Sequence, residues 1–224
     1  AIIVPSHSVA EAFEDRRMFA GRIHVLPDAA TSGLRSPEDA TAWRRALRLP
    51  DHYIASAATL NPRKGLRELL TAVRDLDAPL VLLGEPAWGG ASLDEALDRA
   101  GVAAGRVIVA SPSGPVDRAA VLEGARVFVE PSRLEGFGMD ALDAMTLGTP
   151  LVTTDDPALV ELTADSARVV TRGDNLAGAL HEAVADLLDD ADAARRLGLA
   201  GQDRARVFSW NDTAERIWQL HADL

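Results

Sequence analysis

One turn of the chain brings together a carboxylate and two glycines, Glu135, Gly136 and Gly138, in the segment EPSRLEGFGMDALDAMTLGTP at residues 130–150. An apolar stretch precedes this turn and a helical pattern follows it, so we predict a strand, a turn and a helix in that order. Free N–H groups at a helix start bind phosphate, and glycines let a ligand approach the backbone closely. A second carboxylate, Asp143, lies two helical turns further on, roughly on the same side.

These residue types predict a site for a phosphorylated ligand that also carries hydroxyl groups. The candidates for binding a diphosphate are the backbone N–H groups of four consecutive residues: Gly136, Phe137, Gly138 and Met139. Glu135 is placed to accept hydrogen bonds from ligand hydroxyls, and Asp143 to take the hydroxyl pair of a ribose. The alternative interpretation is a glycine-rich turn whose carboxylate only favours the helix dipole.

Two adjacent cations, Arg63 and Lys64, stand in the segment TLNPRKG. Asn61 is a favourable N-cap and Pro62 a favourable first helical residue, so we predict a helix over residues 62–75. Cations in the first turn of a helix are unfavourable by roughly a few tenths of a kcal/mol each, and a bound anion would reverse that sign. The position after a buried strand favours a phosphate-binding role. The alternative is a pair of solvated side chains.

Short apolar runs alternate with amphipathic helical patterns along the whole chain. The predicted strands cover residues 1–4, 24–26, 53–57, 80–83, 107–109, 127–129, 151–153 and 167–170. The predicted helices cover residues 8–17, 37–47, 62–75, 92–100, 117–122, 139–146, 157–162, 176–188, 191–206 and 211–220. Continuous apolar strands between helices are typical of a parallel sheet covered on both faces. We therefore predict an α/β fold with a Rossmann-like, doubly wound parallel sheet.

Composition excludes several functional classes. The chain has 224 residues, is 47% hydrophobic and has no cysteine, which rules out disulfides, zinc–thiolate sites and thiol catalysis. A net charge of −11 argues against a nucleic-acid surface. No apolar run is long enough for a transmembrane segment. The lack of cysteine is compatible with a reducing compartment, and we expect a cytoplasmic location. The acidic run at residues 182–192 is interpreted as a solvated helix face.

A polar, turn-rich stretch at residues 27–37 divides the chain. We predict a small strand–helix–strand piece over residues 1–28, a linker and helix over 29–52, and the main domain over 53–224. A piece as small as the first cannot bury its faces alone. It must pack on the larger unit or belong to a domain outside this chain.

Four segments, taken in order, resemble the glycosyltransferases of family 4 (group 1). The first resemblance is PSRLEGFGMDALDAMTLGTP at residues 131–150, which is similar to the family signature. The others are TLNPRKG at 59–65, LLGEPAWG at 82–89 and FSWNDTA at 208–214. The resemblance extends over residues 53–218, and four matches in order at plausible spacing are far more specific than one. The resemblance implies one half of a GT-B fold, with residues 1–28 as the end of the other half.

By this resemblance the chain binds a nucleotide-diphosphate sugar, with UDP or GDP as the nucleotide, and the enzyme retains the anomeric configuration. Arg63 and Lys64 would neutralise the donor diphosphate, and Glu135 would contact the donor sugar. Gly136, Phe137 and Gly138 would present backbone N–H groups to sugar and phosphate, Asp143 would hold the ribose, and Ser111 and Ser113 would lie near the base. Neither a metal nor a cofactor is implied, because cationic side chains and helix dipoles stabilise the leaving group.

The chain departs from the family pattern at several positions. Asp143 stands where the family usually has Glu, so the ribose contact is one methylene shorter. Ala58 replaces a usual glycine, and the phosphate-binding Arg found near there in many members is absent. Asp140 stands where proline is common. His7 and His24 are interpreted as strand-end residues without a catalytic role.

The acceptor, a sugar or a lipid-linked sugar used in polysaccharide biosynthesis, is expected to bind mainly to the other GT-B domain. The isolated polypeptide is therefore predicted to bind nucleotide without transferring sugar. A second hypothesis is a non-catalytic or degenerate nucleotide-sugar-binding module, motivated by Asp143 and the missing Arg. A GT-B epimerase or phosphorylase fits less well, since their site motifs differ from the Glu-Gly-Phe-Gly loop.

Overall fold

A six-stranded parallel sheet forms the centre of the computed structural model, which describes residues 1–14 and 21–222. Its strands are β3 (Ile54–Ser56), β4 (Leu80–Leu83), β5 (Val107–Ala110), β6 (Val127–Glu130), β7 (Leu151–Thr154) and β8 (Arg168–Val170). Their order across the sheet is β5-β4-β3-β6-β7-β8, and every neighbouring pair is parallel. The order reverses between β3 and β6, so the connections that follow these two strands diverge and leave a crevice at their carboxyl ends.

The central strands form because alternate residues of their apolar runs enter two separate cores. Val127 and Val129 of β6 pack into one core with Leu69, which lies on the helix after β3, whereas Phe128 packs into the other core with Met145. This two-sided burial explains why the runs are continuously apolar rather than alternating. The predicted doubly wound sheet is confirmed.

Helices cover both faces of this sheet in the described part of the chain. They are α1 (His7–Glu14), α2 (Ala40–Ala46), α3 (Leu66–Val73), α4 (Leu93–Ala100), α5 (Pro115–Gly124), α6 (Met139–Thr146), α7 (Pro157–Thr163), α8 (Leu176–Asp189), α9 (Ala191–Ala205) and α10 (Trp210–Ala222). The predicted helix over residues 8–17 corresponds to α1, and its residues 15–17 lie outside the described residues. Among the residues described, no helix combines the length and the apolar character needed to cross a membrane.

The predicted helix over residues 62–75 is confirmed over residues 66–73 but not in its first turn, because the helical conformation is interrupted at Gly65. Pro62–Lys64 forms a separate 3-10 turn, whose N-cap Asn61 accepts a hydrogen bond from the Arg63 N–H at 3.1 Å. Gly65 then adopts φ +65°, and α3 begins after it. Arg63 and Lys64 therefore precede the first turn of α3, and the unfavourable helix-dipole interaction predicted for them is absent. A second 3-10 turn, Ala104–Arg106, was not predicted.

The small N-terminal piece packs against the larger unit. Strands β1 (Ile2–Val4) and β2 (Ile23–Val25) pair in parallel. The Ser6 hydroxyl donates to the Gly136 carbonyl at 2.7 Å, and the Thr213 hydroxyl of α10 donates to the Pro27 carbonyl at 2.8 Å. The indole N–H of Trp210 donates to the Ala30 carbonyl at 2.8 Å. Helix α10 thus holds the segment that follows β2, and Ser6 joins the N-terminal piece to the loop after β6.

Candidate functional site

The predicted site residues of two distant segments meet at the carboxyl ends of β3 and β6. The loop after β3 carries Arg63 and Lys64, and the loop after β6 carries Glu135. The Lys64 ammonium lies 2.5 Å from Glu135 Oε1, and the Arg63 guanidinium lies 3.1 Å from the same oxygen. Gly65 permits this approach, because a Cβ at its position would collide with the carbonyl oxygen of Pro131. The fold therefore assembles two cations and one carboxylate at the point where the strand order reverses.

Glu135 and Lys64 keep each other ionised in this cluster. Burial opposes ionisation of Glu135, but the hydrogen bond and charge of Lys64 outweigh it, so the pKa of this carboxyl lies below its usual value. Burial likewise disfavours the charged ammonium of Lys64, but the nearby carboxylates raise its pKa above the ordinary value. Side-chain exposures of 14% for Lys64 and 10% for Glu135 leave little solvent to screen the pair. Arg63, at 45% exposed, faces the crevice more openly.

A second carboxylate lies behind Glu135 and was not predicted. Glu130 is the last residue of β6 and is only 1% exposed. Its Oε1 lies 2.5 Å from the Ser132 hydroxyl oxygen, which in turn lies 2.9 Å from Glu135 Oε1. Burial raises the pKa of Glu130 to about 7, although the positive charge of Lys64 acts in the opposite direction.

The glycine loop after β6 has the backbone that an anion site requires. Gly138, at φ +100°, is the N-cap of α6 and gives this helix no side-chain cap. A Cβ there would press on Leu159 and Leu162, so the sequence needs glycine for space as well as for conformation. Phe137 anchors the loop by packing edge-on against Phe208 at a centroid distance of 5.6 Å. Met139 is the first residue of α6.

A cavity of about 250 Å³ lies on the far side of this loop. Phe137 and Phe208 line it, together with residues of α1, α7 and α10. Neither Lys64 nor Glu135 lines this cavity, so we locate the candidate site in the crevice rather than there.

Asp143 is buried, with both carboxylate oxygens engaged. Oδ1 accepts the Thr31 backbone N–H at 2.7 Å, and Oδ2 accepts the Thr31 hydroxyl and the Arg118 Nε–H, each at 2.6 Å. Asp143 has no exposed surface. Arg118 also lies 2.7 Å from Asp140, whose other oxygen is 3.8 Å from the Lys64 ammonium. A line of alternating charges thus joins Asp143 to Glu135, and the ribose contact of Asp143 stays a prediction.

Ser111 and Ser113 lie apart from this cluster, after the edge strand β5. The Ser113 backbone N–H donates to Asp117 Oδ2 at 2.9 Å, and its hydroxyl donates to the same oxygen. Ser111 is exposed. Their expected position near a base stays a prediction.

Some of the missed residues had a signal in the sequence, and others had none. Glu130 is a charged residue at the end of an otherwise apolar strand, and such a residue at the carboxyl edge of a parallel sheet is a recognisable signal. Asp140 was noted as unusual, and the structure shows its partners, Arg118 and Lys64. Arg118 and Thr31 gave no signal, since their contacts span 25 and 112 positions.

The parallel sheet with this strand order defines a Rossmann-like α/β unit. Paired cations, a carboxylate and a glycine loop lie at the point where its strand order reverses. The chain belongs to the group 1 glycosyl transferases: the family model described as "Glycosyl transferases group 1" matches residues 39–204. The resemblance drawn from the four sequence segments is confirmed.

Curated relatives carry specific glycosyltransferase names. The MMP alpha-(1->4)-mannosyltransferase of Mycolicibacterium hassiacum is 32% identical over 95% of this chain and 51% of its own length. The D-inositol 3-phosphate glycosyltransferase of Corynebacterium glutamicum is 31% identical over 90% of this chain and 52% of its own length. The O-antigen chain mannosyltransferase B of Escherichia coli is 33% identical over 74% of this chain and 44% of its own length. The chain spans about half the length of the first two.

Solved structures of GT-B glycosyltransferases share the fold. Sucrose-phosphate synthase of Thermosynechococcus elongatus superposes with a TM-score of 0.83 at 25% identity, over 99% of this chain and 57% of that one. Anabaena HepE, in a complex with UDP and glucose, superposes with a TM-score of 0.87 at 20% identity, over 99% of this chain and 63% of that one.

Proposed function

We propose that this chain is the donor-binding part of a retaining glycosyltransferase that moves a sugar from a nucleotide-diphosphate sugar to an acceptor hydroxyl. The convergence of Arg63 and Lys64 on Glu135 Oε1 carries this proposal. Their charges suit a diphosphate leaving group, which needs stabilisation as its bond to the sugar breaks. The backbone N–H groups of Gly136 to Met139 add donors on the other side of the crevice.

In this scheme the Glu135 carboxylate gives up part of its contact with Arg63 and Lys64 and binds the hydroxyls of the donor sugar instead. Its carboxylate stays ionised because Lys64 lies beside it, so it accepts hydrogen bonds from sugar hydroxyls rather than donating a proton. The incoming diphosphate takes over the positive charge of Lys64 and Arg63. These cations supply the charge neutralisation, and the proposed transfer needs no bound metal. The family membership and the nucleotide complex of the Anabaena protein support this assignment.

The occupied carboxylate of Asp143 favours one competing hypothesis, a nucleotide-sugar-binding module without transferase activity. Thr31 and Arg118 already use both of its oxygens, so a ribose must displace at least Thr31 to reach it. Turnover of a nucleotide sugar by the full-length protein that contains this chain distinguishes the two hypotheses. An enzyme transfers sugar and loses activity on Glu135→Ala, whereas a binding module does neither.

The decisive test of the donor site is calorimetric binding of UDP, GDP, UDP-glucose and GDP-mannose to this chain. We expect one nucleotide class to bind, and Lys64→Ala to weaken that binding by about 2 kcal/mol, or roughly thirtyfold, since it removes a charge-assisted contact. The matched control is Arg99→Ala, which removes the same charge from an exposed helix pair. Absence of binding by all four probes, or an equal loss in both variants, would refute the donor-site proposal.

A further inference from the structure

The Ser132 hydroxyl lies within hydrogen-bond distance of two carboxylate oxygens but can donate to only one of them. A serine hydroxyl carries one proton, yet Glu130 Oε1 lies 2.5 Å and Glu135 Oε1 lies 2.9 Å from its oxygen. If both carboxyls were ionised, one of these contacts would place two oxygens together without a proton between them. Both contacts are hydrogen bonds only if one carboxyl brings a proton of its own.

The surroundings determine which carboxyl carries that proton. Glu135 Oε1 has the Lys64 ammonium at 2.5 Å and Arg63 at 3.1 Å, so this carboxyl is held as the anion. Glu130 is 1% exposed, and the charged groups facing it are Lys64, Asp140 and Glu135. Two of these three are acids, and the single ammonium already pairs with Glu135. A buried carboxyl in such a place favours its neutral form, in keeping with a pKa raised to about 7.

We propose that Glu130 is a positioning residue of the donor site, a neutral carboxylic acid that donates its proton to Ser132 Oγ while Ser132 donates to Glu135 Oε1. This inference rests on the proposed function, because it assigns Glu130 a part in holding the donor-site carboxylate. No bond other than these hydrogen bonds is made or broken. These two hydrogen bonds, from Glu130 to Ser132 and from Ser132 to Glu135, form a relay. The relay holds the Glu135 carboxylate on the side away from the crevice.

The arrangement makes donor binding sensitive to pH. When Glu130 loses its proton, Ser132 has two anionic acceptors and a second negative charge lies beside Lys64. That charge competes with the incoming diphosphate for the ammonium. Donor affinity therefore falls as pH rises through the pKa of Glu130. The diphosphate of a nucleotide sugar has no terminal monoester phosphate, whose second ionisation near a pKa of about 6 would confuse the measurement.

The test measures the affinity of UDP-glucose and GDP-mannose, whichever binds, from about pH 6 to about pH 8.5, a range chosen to cross the Glu130 transition. The wild-type chain is expected to bind the nucleotide sugar on the order of tenfold more weakly at the upper end of this range. This loss corresponds to a Glu130 pKa that is about 1 higher with the ligand bound than without it. Glu130→Gln is expected to show no change of affinity with pH over this range, because an amide does not ionise. Its amide N–H donates to Ser132 as the neutral acid does. Glu68→Gln is the matched control, because Glu68 pairs with Arg133 outside the relay and its loss leaves the wild-type slope.

A second readout does not depend on any ligand. The infrared difference spectrum between wild type and Glu130→Gln at about pH 6 is expected to contain the carbonyl band of one protonated carboxyl, and to lose it on titration above about pH 8. If a nucleotide sugar binds but Glu130→Gln keeps the wild-type slope, or the band is missing, the relay is refuted while the donor site stands. If the band is present and neither nucleotide sugar binds, the donor-site proposal fails and Glu130 is no positioning residue.

Discussion

Thr31 and Asp143 are joined by two hydrogen bonds across 112 positions of sequence, one from the Thr31 backbone N–H and one from its hydroxyl. Thr31 belongs to the segment that connects β2 with α2, and Asp143 belongs to α6. The pair ties that segment to the helix that begins at the glycine loop. Arg118 completes the arrangement by neutralising the buried carboxylate at 2.6 Å.

This pair predicts a large loss of stability in Asp143→Ala. The change leaves Arg118 with one acidic partner instead of two and leaves the Thr31 donors unpaired, so we expect a cost of about 3–5 kcal/mol in the free energy of unfolding. Thr31→Val, which removes only the hydroxyl donor, is expected to cost about 1.5–3 kcal/mol. Urea unfolding at neutral pH measures both. Asp192→Ala, at an exposed ion pair, serves as the control with an expected change below about 0.5 kcal/mol. Equal stability of all three variants would contradict the buried pair.

Gly65→Ala is predicted to damage both the fold and the site. Gly65 adopts φ +65°, which costs an alanine about 1–2 kcal/mol, and its new Cβ would meet the Pro131 carbonyl oxygen. The loops after β3 and β6 must then separate, which moves Lys64 away from Glu135. We expect lower stability in urea unfolding and weaker nucleotide binding. Gly173→Ala is the matched control, since a Cβ at Gly173 has no neighbour within 4 Å and φ lies outside the left-handed region there. A Gly65→Ala variant that binds nucleotide normally would show that the close approach of the two loops is dispensable.

The sequence predicts the strands better than the helix ends, for a physical reason. Apolar runs such as residues 80–83 and 151–153 identify buried strands because both of their faces must leave water. The break at Gly65 was missed because N-cap and proline signals at Asn61 and Pro62 mark a start equally well for a 3-10 turn and an α-helix. What decides the break is the approach of Pro131, a tertiary contact.

The site was predictable where its residues belong to local motifs. Lys64, Arg63 and Glu135 each stand beside a turn that follows a strand, so the parallel topology alone brings them to one edge. Asp143 was interpreted as facing the crevice from its helical spacing. Its actual partners, Thr31 and Arg118, lie on other elements that no spacing rule connects to it.

The pH dependence of stability gives a further prediction about Glu130. The pKa of this carboxyl is raised from 4.5 to about 7 on folding, so between these values the folded chain binds more protons than the unfolded one. The free energy of unfolding therefore decreases as pH rises through this window, by about 3 kcal/mol in total for this group. Glu135 acts in the opposite sense and in another window. Its pKa is lowered by folding, so its contribution is complete above the ordinary value of 4.5 and is lost as pH falls through the folded pKa.

The measurement is urea unfolding of wild type and Glu130→Gln at intervals of pH between about 4.5 and 7.5. The difference between the two unfolding free energies is expected to shift in favour of Glu130→Gln as pH rises, because only the wild type must take up a proton at this side chain on folding. Parallel curves would mean that Glu130 titrates at its ordinary pKa, against the burial and neighbouring acids seen here.

The packing of Phe137 on Phe208 predicts that the glycine loop depends on the segment before α10. The two rings meet edge-on at 5.6 Å, and the Arg204 guanidinium lies 5.1 Å from the Phe208 ring. Phe208→Ala removes an aromatic pair worth about 1 kcal/mol beyond the buried area, so we expect nucleotide affinity to fall about fivefold as the loop loses its anchor. Faster amide hydrogen exchange in the loop would accompany this loss. Trp218→Ala, which removes a 72% exposed aromatic side chain from α10, is expected to change neither quantity. If Phe208→Ala lowers the stability to urea but leaves affinity and exchange unchanged, the loop is positioned by β6 and α6 alone.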